Sequence, residues 1–154
     1  MDNIGLSKGH LENVANKLNK LLSDYHIHYQ NLRAMHWLVK GPNFFQLHEA
    51  FEKMYDDAAE KIDEIAERVL ILGFKPLHKY EQYLSNAEIK ELEEVGNEGQ
   101  LIERVKQDLQ VLLKQEREVD ESASDASDEG TIALMTELIP EQEKLLWMLN
   151  AMQN

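Results

Sequence analysis

At 154 residues, with 43% hydrophobic and 29% charged side chains and only three prolines, the chain has the composition of one soluble domain, 1–154, with a helical leaning. It contains no cysteine, which excludes disulfides, zinc-thiolate sites and thiol catalysis, so any metal must be held by nitrogen and oxygen. Its 29 acidic against 16 basic side chains give a formal charge of -13, a field that attracts cations and repels phosphate backbones.

The first residues, Met1-Asp2-Asn3-Ile4-Gly5-Leu6, lack the basic stretch and apolar run of an export signal, and no later apolar run reaches membrane-spanning length. A cytoplasmic protein is expected. From His10 to Val39, Leu18, Leu21, Leu22, Tyr25, Tyr29, Leu32 and Met35 recur at three and four residues and predict a long helix. Lys40-Gly41-Pro42-Asn43 ends it, since glycine accepts the left-handed conformation and proline disfavours helix at the residue before it.

A second helix is predicted from Phe44 to Leu72, through Leu47, Phe51, Tyr55, Ala58, Ile62, Ile65 and Val69, with Gly73 and Pro76 as its stop. A crossover follows to Tyr83. There Ser85-Asn86-Ala87-Glu88 has capping-box spacing and predicts a short helix to about Val95. Leu101, Ile102, Val105, Leu109, Leu112, Leu113, Glu116 and Val119 predict the next long helix, ending where Ser122 to Gly130 interrupts the period. The last helix runs from Thr131 to about Met152, with Pro140 expected to kink or split it. Two helix pairs about a long crossover make an all-α, ferritin-like four-helix bundle with a short extra helix in the crossover. Bundles of this kind serve many functions, so chemistry must come from side chains.

Four residues of the second helix stand out. His48, Glu52, Asp63 and Glu67 fall within a sector of roughly 100° on one side of that helix. The His48/Glu52 and Asp63/Glu67 pairs nevertheless lie roughly 22 Å apart along the axis, whereas metal bonds to nitrogen or oxygen are about 2 Å long. One chain therefore does not bring them to one ion.

The numbering supplies a solution. His48 with Glu67, and Glu52 with Asp63, each have residue numbers adding to 115, the relation expected when a helix packs antiparallel on a copy of itself about a two-fold axis. Two identical sites result, each drawing on both chains. His36, one turn before the Gly41-Pro42 reversal, adds a second imidazole, and the set suits iron while leaving positions open for an oxidant. Taken singly, His48/Glu52 and Asp63/Glu67 read as solvated surface pairs, and His36 as a partner of the last helical carbonyls. The joint arrangement favours the metal.

The stretch His36-Trp37-Leu38-Val39-Lys40-Gly41-Pro42-Asn43-Phe44-Phe45-Gln46-Leu47-His48-Glu49-Ala50-Phe51-Glu52, followed by Ile62-Asp63-Glu64-Ile65-Ala66-Glu67-Arg68-Val69-Leu70-Ile71-Leu72-Gly73, resembles the signatures of the Dps family of mini-ferritins. The resemblance implies a hollow shell of twelve subunits that oxidises iron(II) at dimer interfaces with hydrogen peroxide or dioxygen and stores ferric mineral inside. It implies that His36 and His48 come from one chain, Asp63 and Glu67 from its mate, with Glu52 as a further carboxylate. Trp37 would lie beside the site and intercept reactive oxygen intermediates.

The acidic turn around Asp125, Asp128 and Glu129 resembles the family's three-fold pore; the alternative there is an ordinary helix start, where serine and aspartate are favoured caps. His10, His26, His28 and His78 show no partner pattern and receive no role. Two competing readings are a DNA-binding, nucleoid-compacting protein and a bundle with a decayed metal site. Lys8 is the only basic residue before the first helix, and the chain closes with Ala151-Met152-Gln153-Asn154. Direct DNA binding is therefore expected to be weak or absent, and the intact signatures argue against decay.

Overall fold

The computed structural model describes residues 4–153, so Met1, Asp2, Asn3 and Asn154, which figure in the expectations for export and for the tails, lie outside the described residues. Five helices are present: α1 (Lys8–Leu38), α2 (Phe44–Ile71), α3 (Tyr80–Asn86), α4 (Glu98–Asp125) and α5 (Glu129–Gln153). There is no strand among the described residues. Helix α1 packs on α2, α4 and α3, and α4 packs on α5. The result is two helical hairpins joined by a long crossover, the predicted four-helix bundle.

Apolar positions at helical spacing meet in one core. Leu18, Leu22, Leu32 and Met35 of α1 close against Phe51, Ile65 and Val69 of α2, Val105, Leu112 and Val119 of α4, and Met135 and Leu138 of α5. Burial of each such side chain stabilises the fold by roughly 1.5–3 kcal/mol before ordering costs.

The crossover departs from expectation. The short helix lies at Tyr80–Asn86 rather than after Ser85, and Ser85 is in its last turn, donating to the Gln82 carbonyl at 3.2 Å. The reason is α1. The Asp24 carboxylate accepts the main-chain N–H groups of Glu88 and Ile89 at 2.8 and 2.7 Å, and the Asn31 amide accepts Leu92 N–H at 2.9 Å and donates to Lys90 O at 2.9 Å. Asn19 does the same for Leu77 at 2.9 Å. These α1 side chains satisfy irregular stretches of the crossover that would otherwise leave main-chain amides unpaired.

Helix α4 begins in a reciprocal capping box, with Gln100 N–H donating to Asn97 Oδ1 at 2.9 Å and Asn97 N–H donating to Gln100 Oε1 at 2.8 Å. It also runs further than predicted, to Asp125, because Ser122 and Ala123 point into the core rather than into solvent. Nor does Pro140 split α5, which is continuous through it. Pro140 and Thr136, whose carbonyl it leaves without a helical donor, are both exposed.

Candidate metal centre

The α1–α2 reversal brings His36 and His48 face to face. Their rings stack with centroids 3.7 Å apart and planes 12° from parallel. The contact is reciprocal: His36 Nδ1 lies 2.6 Å from His48 O, and His48 Nδ1 lies 2.7 Å from His36 O. A carbonyl oxygen only accepts, so each Nδ1 carries the donated hydrogen. In the neutral ring that leaves the lone pair on Nε2, the state in which imidazole binds a metal.

The turn is held from outside. The Glu98 carboxylate, at the start of α4, accepts Asn43 N–H at 2.8 Å and the Asn43 side-chain amide at 2.9 Å. Gly41 sits below it with φ of 143°, and a Cβ there would collide with the Glu98 carboxylate. Glycine is thus required twice at this position, for the backbone and for the close approach.

Three aromatic rings finish the setting. Phe44 stacks on His48 at 5.0 Å and 20°, on the histidine that His36 also covers. Tyr55 presents its ring to His36 edge-on at 5.4 Å and donates its hydroxyl to Glu52 Oε1 at 3.4 Å. Tyr29 lies edge-on to Tyr55 at 6.0 Å. Desolvation and the nearby Glu52 and Asp56 carboxylates push the Tyr55 hydroxyl above the usual phenol range, so it remains a donor at neutral pH.

The structure therefore brings His36 and His48 together, with Glu52 joined to them only through Tyr55, and adds Phe44, Tyr55 and Glu98, which the sequence pattern did not single out. Tyr55 had a detectable signal, since it stands seven residues after His48 and three after Glu52 on the same helix face. Glu98 had none, being distant in sequence. Asp63 and Glu67 are exposed further along α2 and touch neither histidine. Among the described residues no three His, Asp or Glu side chains converge within one chain to hold a metal. Trp37 is 56% exposed, with the Arg33 guanidinium 4.9 Å over its ring.

Asp128 requires a correction. It is fully buried, pairs with Arg68 Nη2 at 2.6 Å, and accepts Thr131 N–H at 3.1 Å as the cap of α5. Its carboxylate is committed inside the fold and is not a pore group. Asp125 and Glu129 are exposed on either side of the turn. Of the histidines given no role, His28 is buried and His26 stacks on Tyr83 at 3.9 Å; burial lowers both to about 4.

A second polar cluster lies in the bundle centre. Glu116, 0% exposed, accepts the Tyr25 hydroxyl at 2.9 Å and the Gln142 amide at 2.6 Å, and burial pushes its carboxyl up to about 7.

Comparison with known proteins places these features in context. A sequence profile described as a ferritin-like domain matches residues 15–154. The DNA protection during starvation protein of Porphyromonas gingivalis is 45% identical over 147 residues, which is 96% of this chain and 92% of that protein. DNA protection during starvation protein 2 of Bacillus anthracis is 38% identical over 141 residues, 92% of this chain and 97% of that protein. Among solved structures, the Dps protein from Vibrio cholerae O1, described as a member of a broad superfamily of ferritin-like diiron-carboxylate proteins, superposes with a TM-score of 0.97. It is 42% identical and covers 100% of this chain and 97% of its own. Dps from Bacillus brevis gives a TM-score of 0.92 at 34% identity, covering 95% and 98%.

Proposed function

Because this chain belongs to the Dps family of ferritin-like proteins, we propose that it binds iron(II) between two copies of itself, oxidises it, and stores the ferric product within a twelve-subunit shell. Iron is the substrate and cargo. Its removal protects DNA and cell from peroxide-driven damage, in keeping with the relatives named for DNA protection during starvation.

The observation that carries the proposal is the His36/His48 pair. Two imidazoles with Nδ1 donated to main-chain carbonyls have Nε2 free for a ligand, and among the described residues of one chain no group of three His, Asp or Glu side chains that could hold a metal forms around them. A second copy, related by a two-fold axis through the middle of α2, supplies what is missing. Its Glu67 faces His48 and its Asp63 faces Glu52. Histidine nitrogen and carboxylate oxygen suit iron, and a ligand set of this size leaves coordination positions open.

In this arrangement His36 and His48 orient the ion, while the partner's Asp63 and Glu67 balance its charge. Electrons pass from iron(II) to peroxide or dioxygen, and Tyr55 steadies Glu52 through its hydroxyl. Trp37, exposed at the position after His36 in α1, gives an electron to reactive oxygen intermediates in this reading. Asp125 and Glu129 form the acidic mouth through which cations enter, with Asp128 holding the turn that carries them. The net charge of -13 favours cation entry and opposes duplex binding. No helix among the described residues is long and apolar enough to cross a membrane.

The test is stopped-flow oxidation of iron(II) by the assembled protein with peroxide and with oxygen in parallel. Saturable iron binding and oxidation faster than buffer are expected. An assembly that oxidises iron no faster than buffer with either acceptor overturns the proposal.

A further inference from the structure

Helix α2 carries apolar side chains at both ends of the stripe that bears the acidic residues. Phe45, Glu52, Ala59, Asp63, Glu67 and Leu70 are all exposed and fall within a sector of roughly 80° around the helix. Phe45 is 80% exposed and Leu70 58%. Two large apolar groups at the ends of a stripe whose other large side chains are acidic leave separate patches that the single chain does not cover.

Their numbering links them. Phe45 and Leu70 have residue numbers adding to 115, the total shared by His48 with Glu67 and by Glu52 with Asp63. The relation comes from exposure in the folded chain, not from metal-binding residue types, and so supports the same axis independently. Under it, the Phe45 ring meets the partner's Leu70 one helical turn beyond the contact between His48 and the partner's Glu67. The Phe45 ring already lies edge-on to Phe44 at 5.6 Å, and Phe44 stacks on His48 at 5.0 Å. An apolar cover thus extends outward from the imidazoles to the place where the second chain arrives.

We propose that Phe45 of each chain docks on Leu70 of a second copy and closes the outer end of each shared site with an apolar contact. The inference rests on the two-fold α2 pairing proposed above and adds the residues that seal it. Such a contact excludes water from one side of the site, where charge interactions then act at lower dielectric, and fixes the register of the two helices by burying both patches at once.

The chain has no cysteine, so introduced thiols report without background. The full-length Phe45→Cys/Leu70→Cys variant, treated with a short-span bismaleimide, is expected to form covalent dimers on denaturing gels. Phe45→Cys and Leu70→Cys alone should stay single, because like positions lie roughly 37 Å apart across the axis. Asp56→Cys/Ala59→Cys, placed beside the axis, reports the pairing itself. Linking at 56/59 without linking at 45/70 overturns the docking and leaves the pairing standing. Linking at neither overturns both, and linking of either single variant contradicts the register.

Discussion

His36 and His48 each hold the other's backbone: the two Nδ1–carbonyl contacts, at 2.6 and 2.7 Å, tie the end of α1 to the second turn of α2. The same contacts that fix the rings also leave Nε2 of each free, so one device serves fold and chemistry. Replacing either histidine by alanine is expected to lower iron affinity and oxidation rate by at least about tenfold, since loss of even indirect ligand support costs about 10–100-fold. Helix content should change little. Anaerobic iron(II) titration and circular dichroism on His36→Ala and His48→Ala measure the two effects separately, and normal titration in both variants contradicts the assignment.

Gly41 supports that pair from a distance. Its φ of 143° and the Glu98 carboxylate above it leave no room for a side chain. Gly41→Ala should destabilise the protein by about 1–3 kcal/mol and weaken iron binding along with it, because Asn43 loses its Glu98 anchor. Thermal melts and iron titration on the same preparation check this; an unchanged melting temperature argues against the turn as the support of the site.

Asp24 carries the crossover. Its Oδ1 accepts two main-chain N–H groups, and its Oδ2 accepts the Gln115 amide at 2.7 Å. Asp24→Ala strands those donors, each at a cost of about 1–3 kcal/mol where water does not reach. Hydrogen exchange is expected to rise first at Glu88 and Ile89. Protection that stays at the wild-type level would show that Asp24 is not what holds this segment.

Glu116 gives stability a pH dependence. Burial raises its carboxyl from 4.5 to about 7, so between these values the folded state keeps a proton that the unfolded state has lost. Stability from this group is therefore full below the unfolded value and falls as pH rises to about 7, by roughly 3 kcal/mol in all. Glu116→Gln keeps the shape without the charge. Its melting temperature should exceed the wild type's at pH 8 and approach it at pH 5; a constant difference across that range would remove the titration of Glu116 as the cause.

The sequence made the long helices legible because Leu18, Phe51, Leu109 and their neighbours repeat at a period only a helix satisfies. His36 and His48 were legible as well, since the short Gly41-Pro42 reversal forces them together. The position of α3 was not, because its boundaries depend on Asp24 and Asn31, more than fifty residues before the amides they bind. Asp128 misled for a related reason: in sequence it is one acid among several, and only Arg68, sixty residues earlier, makes it an internal cap. Proline at 140 carried a local rule that exposure relaxed.

The central claim is that each site belongs to two chains, and subunit mixing tests it most directly. In a dimer of His48→Ala with Asp63→Ala, one site loses both groups and the other keeps both. Random reassembly of equal amounts should therefore restore about a quarter of the wild-type sites, read as stopped-flow iron(II) oxidation, while each variant alone stays impaired. Mixed dimers that form, verified by mass, and yet oxidise iron no faster than the separate variants would contradict sharing.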